Sequence, residues 1–149
     1  MTKIYLSGGI AGIDYKLASS WREEAKAYFE FYGYDVINPL RGHYYQGKPE
    51  KLLESDELTI NEIVRRDLYD LKRSDLVFVE FTNPFKNYIG TVTEVALASF
   101  IYNIPVIVWA GNEERVKDLE NGWMGFMAAK IIGDFSEALE YTVNYLADR

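Results

Sequence analysis

The run Asp75 to Phe81 (DLVFVEF) constrains this chain more than any other stretch. A strand with one wet face alternates apolar and polar residues, whereas a nearly continuous apolar strand belongs at the centre of a parallel sheet, covered on both faces. Parallel neighbours are joined only by long crossovers, so helices must separate the strands. The chain supplies matching partners: Lys3 to Ser7 (KIYLS), Tyr34 to Asn38 (YDVIN), Ile104 to Trp109 (IPVIVW) and a short run at Lys130 to Ile132. Segments of helical periodicity lie between them. The expectation is an α/β fold: a single domain over residues 1–149, doubly wound, with a mainly parallel five-stranded sheet and helices on both faces, flavodoxin-like or Rossmann-like. At 149 residues such a domain buries roughly 70% of its unfolded surface. Ligands of sheets of this kind bind beyond the carboxyl ends of the strands, where the loops after Ser7, Asn38 and Phe81 lie.

The helices carry their own punctuation. Ser20 with Glu23 has the spacing of a capping box, and Trp21, Ala25, Tyr28, Phe29 and Tyr32 follow at helical spacing up to Gly33. Thr59 with Glu62 makes a second box, ahead of Ile60, Ile63, Val64 and Leu71. Ser136 is expected to cap a last helix that turns Leu139, Val143 and Leu146 inward. Residues 39–55 read as a long loop with Pro39, Gly42, Gly47 and Pro49 among Arg41, His43, Tyr44 and Tyr45, the kind of excursion that serves as a lid or packs its tyrosines on the body. Ala110 to Ala129, which contains Trp123 and Phe126, reads as loop or short helix.

Composition excludes several functions. The chain has no cysteine and one histidine, which leaves no disulfide, thiol nucleophile or thiolate zinc site and argues against a histidine-built metal site. A net charge of −7 argues against wrapping a nucleic-acid backbone. No apolar run is long enough to span a membrane, and the first ten residues enter a strand pattern directly, as expected of a cytoplasmic protein without a targeting signal. Neither metal nor cofactor is expected. Gly8, Gly9 and Gly12 follow the first strand and let a ligand approach the backbone, but their spacing is not that of a dinucleotide fingerprint.

Two acids stand out. Asp67 follows Ile60 by seven residues, Ile63 by four and Val64 by three, and precedes Leu71 by four, so it falls on the apolar stripe of its helix. A carboxylate there needs a partner or a cavity. Asp70 lies nearer the edge of the stripe, as ordinary surface would. Glu94 has a structural explanation, because Thr91-x-x-Glu94 is itself a capping box and the helix dipole favours an acid in a first turn. The same free N–H groups would also keep a nucleophilic carboxylate ionised.

The opening Lys3-Ile-Tyr-Leu with its loop of small residues, Arg66-Asp67-Leu68 leading to Ser74-Asp75 and an apolar strand, and Gly90-Thr-Val-Thr-Glu94-Val-Ala-Leu-Ala98 occur in an order and spacing that resemble the nucleoside 2-deoxyribosyltransferase family. That family includes relatives that hydrolyse deoxynucleoside 5'-monophosphates at the N-glycosidic bond. The resemblance implies that Glu94 is the nucleophile on the anomeric carbon, that Asp67 protonates or holds the base, and that Tyr5 orients the nucleophile. It further implies transfer of 2-deoxyribose between nucleobases with retention, a deoxynucleoside and a nucleobase as small-molecule partners, and a homo-oligomer, a dimer or larger, with shared active sites. Ser7, Gly8, Gly9, Asn87, Tyr88 and Trp123 are the substrate-binding candidates.

Departures bear on the substrate. The phosphate-handling relatives carry a serine and an arginine where this chain has Gly9 and Ala11, which favours a free nucleoside. Asn87 and Tyr88 stand where the transferases often have an acid. Asn121 to Phe126 resembles the stretch with which family members complete a neighbouring subunit's site. Glycosidic hydrolysis and a non-catalytic nucleotide-binding module are the alternatives. If Asp67 donates a proton to the leaving base, the pocket is expected to raise its pKa while the helix end lowers that of Glu94.

Overall fold

The computed structural model describes residues 1–10, 14–40 and 59–147. The loop expected at 39–55 falls outside them beyond Leu40, as does Ala11. Five strands form one sheet: β1 (Lys3–Ser7), β2 (Asp35–Ile37), β3 (Leu76–Glu80), β4 (Val106–Trp109) and β5 (Lys130–Ile132). All four pairings are parallel and the order is β2-β1-β3-β4-β5. This is the doubly wound, flavodoxin-like arrangement expected from the strand patterns, and its order reverses between β1 and β3.

β3 shows why the apolar run is continuous. Leu76, Val77, Phe78 and Val79 are all fully buried. Val77 and Val79 face a core shared with Tyr5, Leu71, Val95, Ala98 and Val108. Leu76 and Phe78 face the opposite one with Ile4, Leu6, Trp21, Phe29 and Leu139. Each such side chain contributes about 1.5–3 kcal/mol by leaving water, so the strand is anchored from both sides. Helices α1 (Tyr15–Phe31) and α6 (Phe135–Ala147) cover the second face. Helices α2 (Ile60–Lys72), α3 (Ile89–Ala96), α4 (Glu113–Glu120) and α5 (Trp123–Met127) belong to the first. No helix among the described residues is long and apolar enough to cross a membrane.

Helix ends depart from expectation where an upstream acceptor wins. α1 starts at Tyr15, because the Asp14 side chain accepts from Lys16 N at 2.8 Å. Ser20 and Glu23 therefore lie exposed inside the helix and form no box. At the other end Gly33 takes φ +88°, as the helix stop requires. The Thr59–Glu62 box does form, with Glu62 N donating to Thr59 Oγ1 at 3.2 Å and Thr59 N to Glu62 Oε1 at 3.4 Å. α6 is capped by Asp134, which accepts from Glu137 N at 3.0 Å, and not by Ser136. α3 opens at Ile89, whose N–H donates to Asn87 Oδ1 at 3.1 Å. The expected Thr91–Glu94 box is absent, and Glu94 is the sixth helical residue, past the first turn. α3 runs on as a π-helical turn, Leu97–Ile101, closed by Tyr102 N donating to Leu97 O at 2.9 Å.

Candidate active site

The centre of the site is built from the end of β1 and the second turn of α3. Tyr5 and Ser7 alternate with Ile4 and Leu6, so they point to the α3 side of the sheet. Tyr5 Oη donates to Glu94 Oε2, and Ser7 Oγ donates to Glu94 Oε1 at 2.9 Å. Both carboxylate oxygens are thus held by hydroxyls 87 and 89 residues away in the chain. Burial pushes the Glu94 carboxyl up to about 7, against the lowering effect of the Tyr5 and Ser7 hydrogen bonds; Asp67 adds to the rise and Arg22 opposes it. This reverses the expectation of a lowered value. Sitting beyond the first turn, Glu94 does not meet the free N–H groups of the helix end, and desolvation decides. The Tyr5 phenol is raised well above its ordinary value by burial and by the negative charges of Glu94 and Asp67.

Asp67 is half-buried on α2, the helix that shares this face of the sheet. One of its partners is its neighbour: Arg66 Nη2 and Nε donate to Asp67 Oδ1 at 3.1 and 3.2 Å, and Arg66 Nη2 also donates to Pro39 O at 3.1 Å. The stripe that made Asp67 conspicuous is only partly core, since Ile63 and Leu71 are buried while Ile60 and Val64 are exposed. The charge of Asp67 is nevertheless felt at both Tyr5 and Glu94, raising each. Asp70, expected at the surface, is buried and takes a hydrogen bond from Arg73 Nη2 at 2.8 Å.

The remaining candidates separate. Gly8 and Gly9 lie directly after Ser7, and their carbonyls accept from Arg22 Nη2 at 3.0 Å and Nη1 at 3.5 Å. Asn87 is exposed and spends its side-chain oxygen on opening α3. Tyr88 is buried, stacks on Phe81 at 4.4 Å between centroids and donates its hydroxyl to Glu80 Oε2 at 2.6 Å. That same Glu80 oxygen accepts from Thr82 N at 2.8 Å and Thr82 Oγ1 at 2.9 Å, so Tyr88 braces the β3–α3 loop. Trp123 is 78% exposed on α5 and makes no described contact with the Glu94 cluster.

Two buried charges escaped the sequence reading. Arg22 is fully buried and Glu80 is 5% exposed. The phase rule that singled out Asp67 also fits Arg22, three residues before Ala25 and seven before Phe29 on the buried stripe of α1. Glu80 could have been found as a charge at the carboxyl end of a strand otherwise fully apolar, where ligands bind.

The geometry places a carboxyl held by two hydroxyls at the carboxyl end of β1, beside the point where the strand order reverses. No protein-family model matches the chain, and no curated protein matches it in sequence. Solved structures do. The 2-deoxyribosyltransferase of Bacillus psychrosaccharolyticus is 18% identical, with a TM-score of 0.65 over 95% of this chain and 96% of that one. The chain shares the fold of that enzyme. The CMP N-glycosidase BcmB of Clostridium botulinum superposes with a TM-score of 0.60 at 16% identity, covering 97% of this chain and 99% of its own. A 2-deoxyribosyltransferase from Leishmania mexicana gives 0.63 at 11% identity over 97% and 98% of the two chains.

Proposed function

We propose that the protein is a nucleoside-processing enzyme that transfers 2-deoxyribose between nucleobases through a covalent intermediate on Glu94. The observation that carries this reading is the grip of Tyr5 and Ser7 on both oxygens of Glu94 at the carboxyl end of β1. Hydroxyl donors of this kind aim a carboxylate and share its charge as it attacks. Its supports are the residue pattern around Asp67 and Glu94 and a fold shared with two 2-deoxyribosyltransferases and a CMP N-glycosidase.

In the first half-reaction the Glu94 carboxylate bonds to C1' as the bond from C1' to the base nitrogen breaks. The electron pair leaves with the base, and Asp67, which faces Arg66 as a carboxylate in the free enzyme and has to take up a proton in the substrate complex, delivers that proton to it. In the second, an acceptor base attacks C1', the bond to Glu94 breaks, and the acceptor's proton passes to Asp67. Two displacements at one carbon give net retention. With its carboxyl raised to about 7, Glu94 keeps an ionised fraction at neutral pH that can act as nucleophile. The Gly8–Gly9 loop offers no side-chain cation to a 5'-phosphate, which favours a free deoxynucleoside.

Hydrolysis is the second reading, favoured by the likeness to the CMP N-glycosidase over nearly the whole of both chains. It differs only in having water as the acceptor. Incubation with deoxyadenosine and cytosine distinguishes them. Transfer predicts deoxycytidine and adenine, with Glu94→Ala inactive. Free sugar with no deoxycytidine would select hydrolysis, and a Glu94→Ala variant as active as wild type would refute both.

A further inference from the structure

Arg22 heads the fully buried side chains by volume, and the chemistry above does not use it. α1 carries it into the sheet face opposite α3, directly under the first loop. Its Nη1 donates to Ala18 O at 2.8 Å and Gly9 O at 3.5 Å, and its Nη2 to Gly8 O at 3.0 Å. The guanidinium carbon lies 4.6 Å from the centroid of the Trp21 ring, and Nε has no partner among the described residues. Every described hydrogen bond of this fork goes to a main-chain carbonyl and none to an acid. A cation buried in this way costs several kcal/mol that a packed apolar side chain would not, so helix stability does not explain it.

What surrounds Arg22 does. The groups whose charge it feels come from four elements: Tyr5 from β1, Asp67 from α2, Glu80 from β3 and Glu94 from α3. We propose that Arg22 is a positioning residue of the Glu94 site, fixing through its carbonyls the Gly8–Gly9 loop that directly follows Ser7, and keeping a buried positive charge on the opposite face of the sheet from the Glu94 carboxylate. The inference rests on the reading of Glu94 as nucleophile. Burial lowers the guanidinium only to about 10, so it stays charged at neutral pH. The Glu94 carboxyl also meets Tyr5, Ser7 and Asp67, the last paired with Arg66. Among these, Arg22 is the cation that favours its ionised form.

The test uses Arg22→Met, which removes charge and fork together, and Arg22→Lys, which keeps charge but loses the planar fork. Glu94 is titrated by carbon NMR in protein labelled at glutamate carboxyls, its signal assigned with Glu94→Gln, and kcat and KM are followed against pH with a deoxynucleoside. In R22M the Glu94 midpoint should rise, and the acid limb of kcat/KM should move up with it. In R22K the midpoint should stay within about 0.3 unit of wild type, because an opposite charge still favours the ionised carboxyl. In both variants KM should rise roughly tenfold, the scale of a lost charged hydrogen bond. If R22M does not fold, Arg22→Gln takes its place as the neutral variant. An unmoved midpoint in the neutral variant, or a lysine variant that shifts as far as the neutral one, overturns the charge role. An unchanged KM in both overturns the loop role. The titration needs no turnover, so it decides on the charge role of Arg22 even if wild type forms no sugar adduct and the transfer reading fails.

Discussion

Glu94 is held in a state that costs the fold something. Its carboxyl titrates near 4.5 in the unfolded chain and about 7 in the folded one, because burial outweighs the Tyr5 and Ser7 hydrogen bonds. Between those values the folded state binds the extra proton, so this residue's contribution to stability falls as pH rises through the window and is lowest above it. The shift corresponds to about 3 kcal/mol at most, less where water reaches the group. Replacing Glu94 by Gln keeps shape and removes the charge. The variant should match wild type in urea at pH 4.5 and exceed it by about 1–3 kcal/mol at pH 8. A gain of equal size at both pH values would contradict the raised carboxyl. Sequence alone concealed this, since the capping box that explained Glu94 never forms. Helical phase singled out Asp67, though Ile60 and Val64 on the same stripe are exposed, and Arg22, at the same kind of phase on the buried stripe of α1, was open to the same argument.

At the scale of elements, the strands read true to within two residues, because long apolar runs leave little freedom in where a buried strand begins and ends. Caps read less well. Ser20, Thr91 and Ser136 each have the right residue type and spacing, yet Asp14, Asn87 and Asp134 supply the acceptor further upstream. A short polar side chain near a helix start is a local signal, and which one is used depends on where the preceding strand delivers the chain. The first loop makes its own demand. A Cβ on Gly8 would sit 2.8 Å from Trp21 Cζ2 and 3.3 Å from both Arg22 Nη2 and Glu80 Cβ. Trp21 is 7% exposed and its ring is packed against Phe78 and Trp109, so it has no room to yield. Gly8→Ala should therefore destabilise by about 1–3 kcal/mol through overpacking and lower turnover by moving the loop off Ser7. A denaturant midpoint equal to wild type would mean that the loop stands clear of α1.

For the molecule as a whole, the alternation of strands and helices announced a parallel sheet, but the pairing of β1 with both β2 and β3 is a long-range outcome that no single segment displays. That pairing makes the site. It sets the end of β1 at the reversal of strand order, so that Glu94 meets Tyr5 and Ser7 from the α3 face of the sheet while Arg22 holds the Gly8–Gly9 loop from the α1 face. The central claim is that this arrangement makes Glu94 a nucleophile toward a sugar carbon. Intact mass measured at pH 7 on wild type and Glu94→Ala, after mixing with a 2'-deoxynucleoside and rapid acid quench, tests it most directly. Wild type should gain one 2-deoxyribosyl unit, located at Glu94 by peptide mapping and absent from the variant. Turnover without any adduct, or an adduct on another residue, would contradict it.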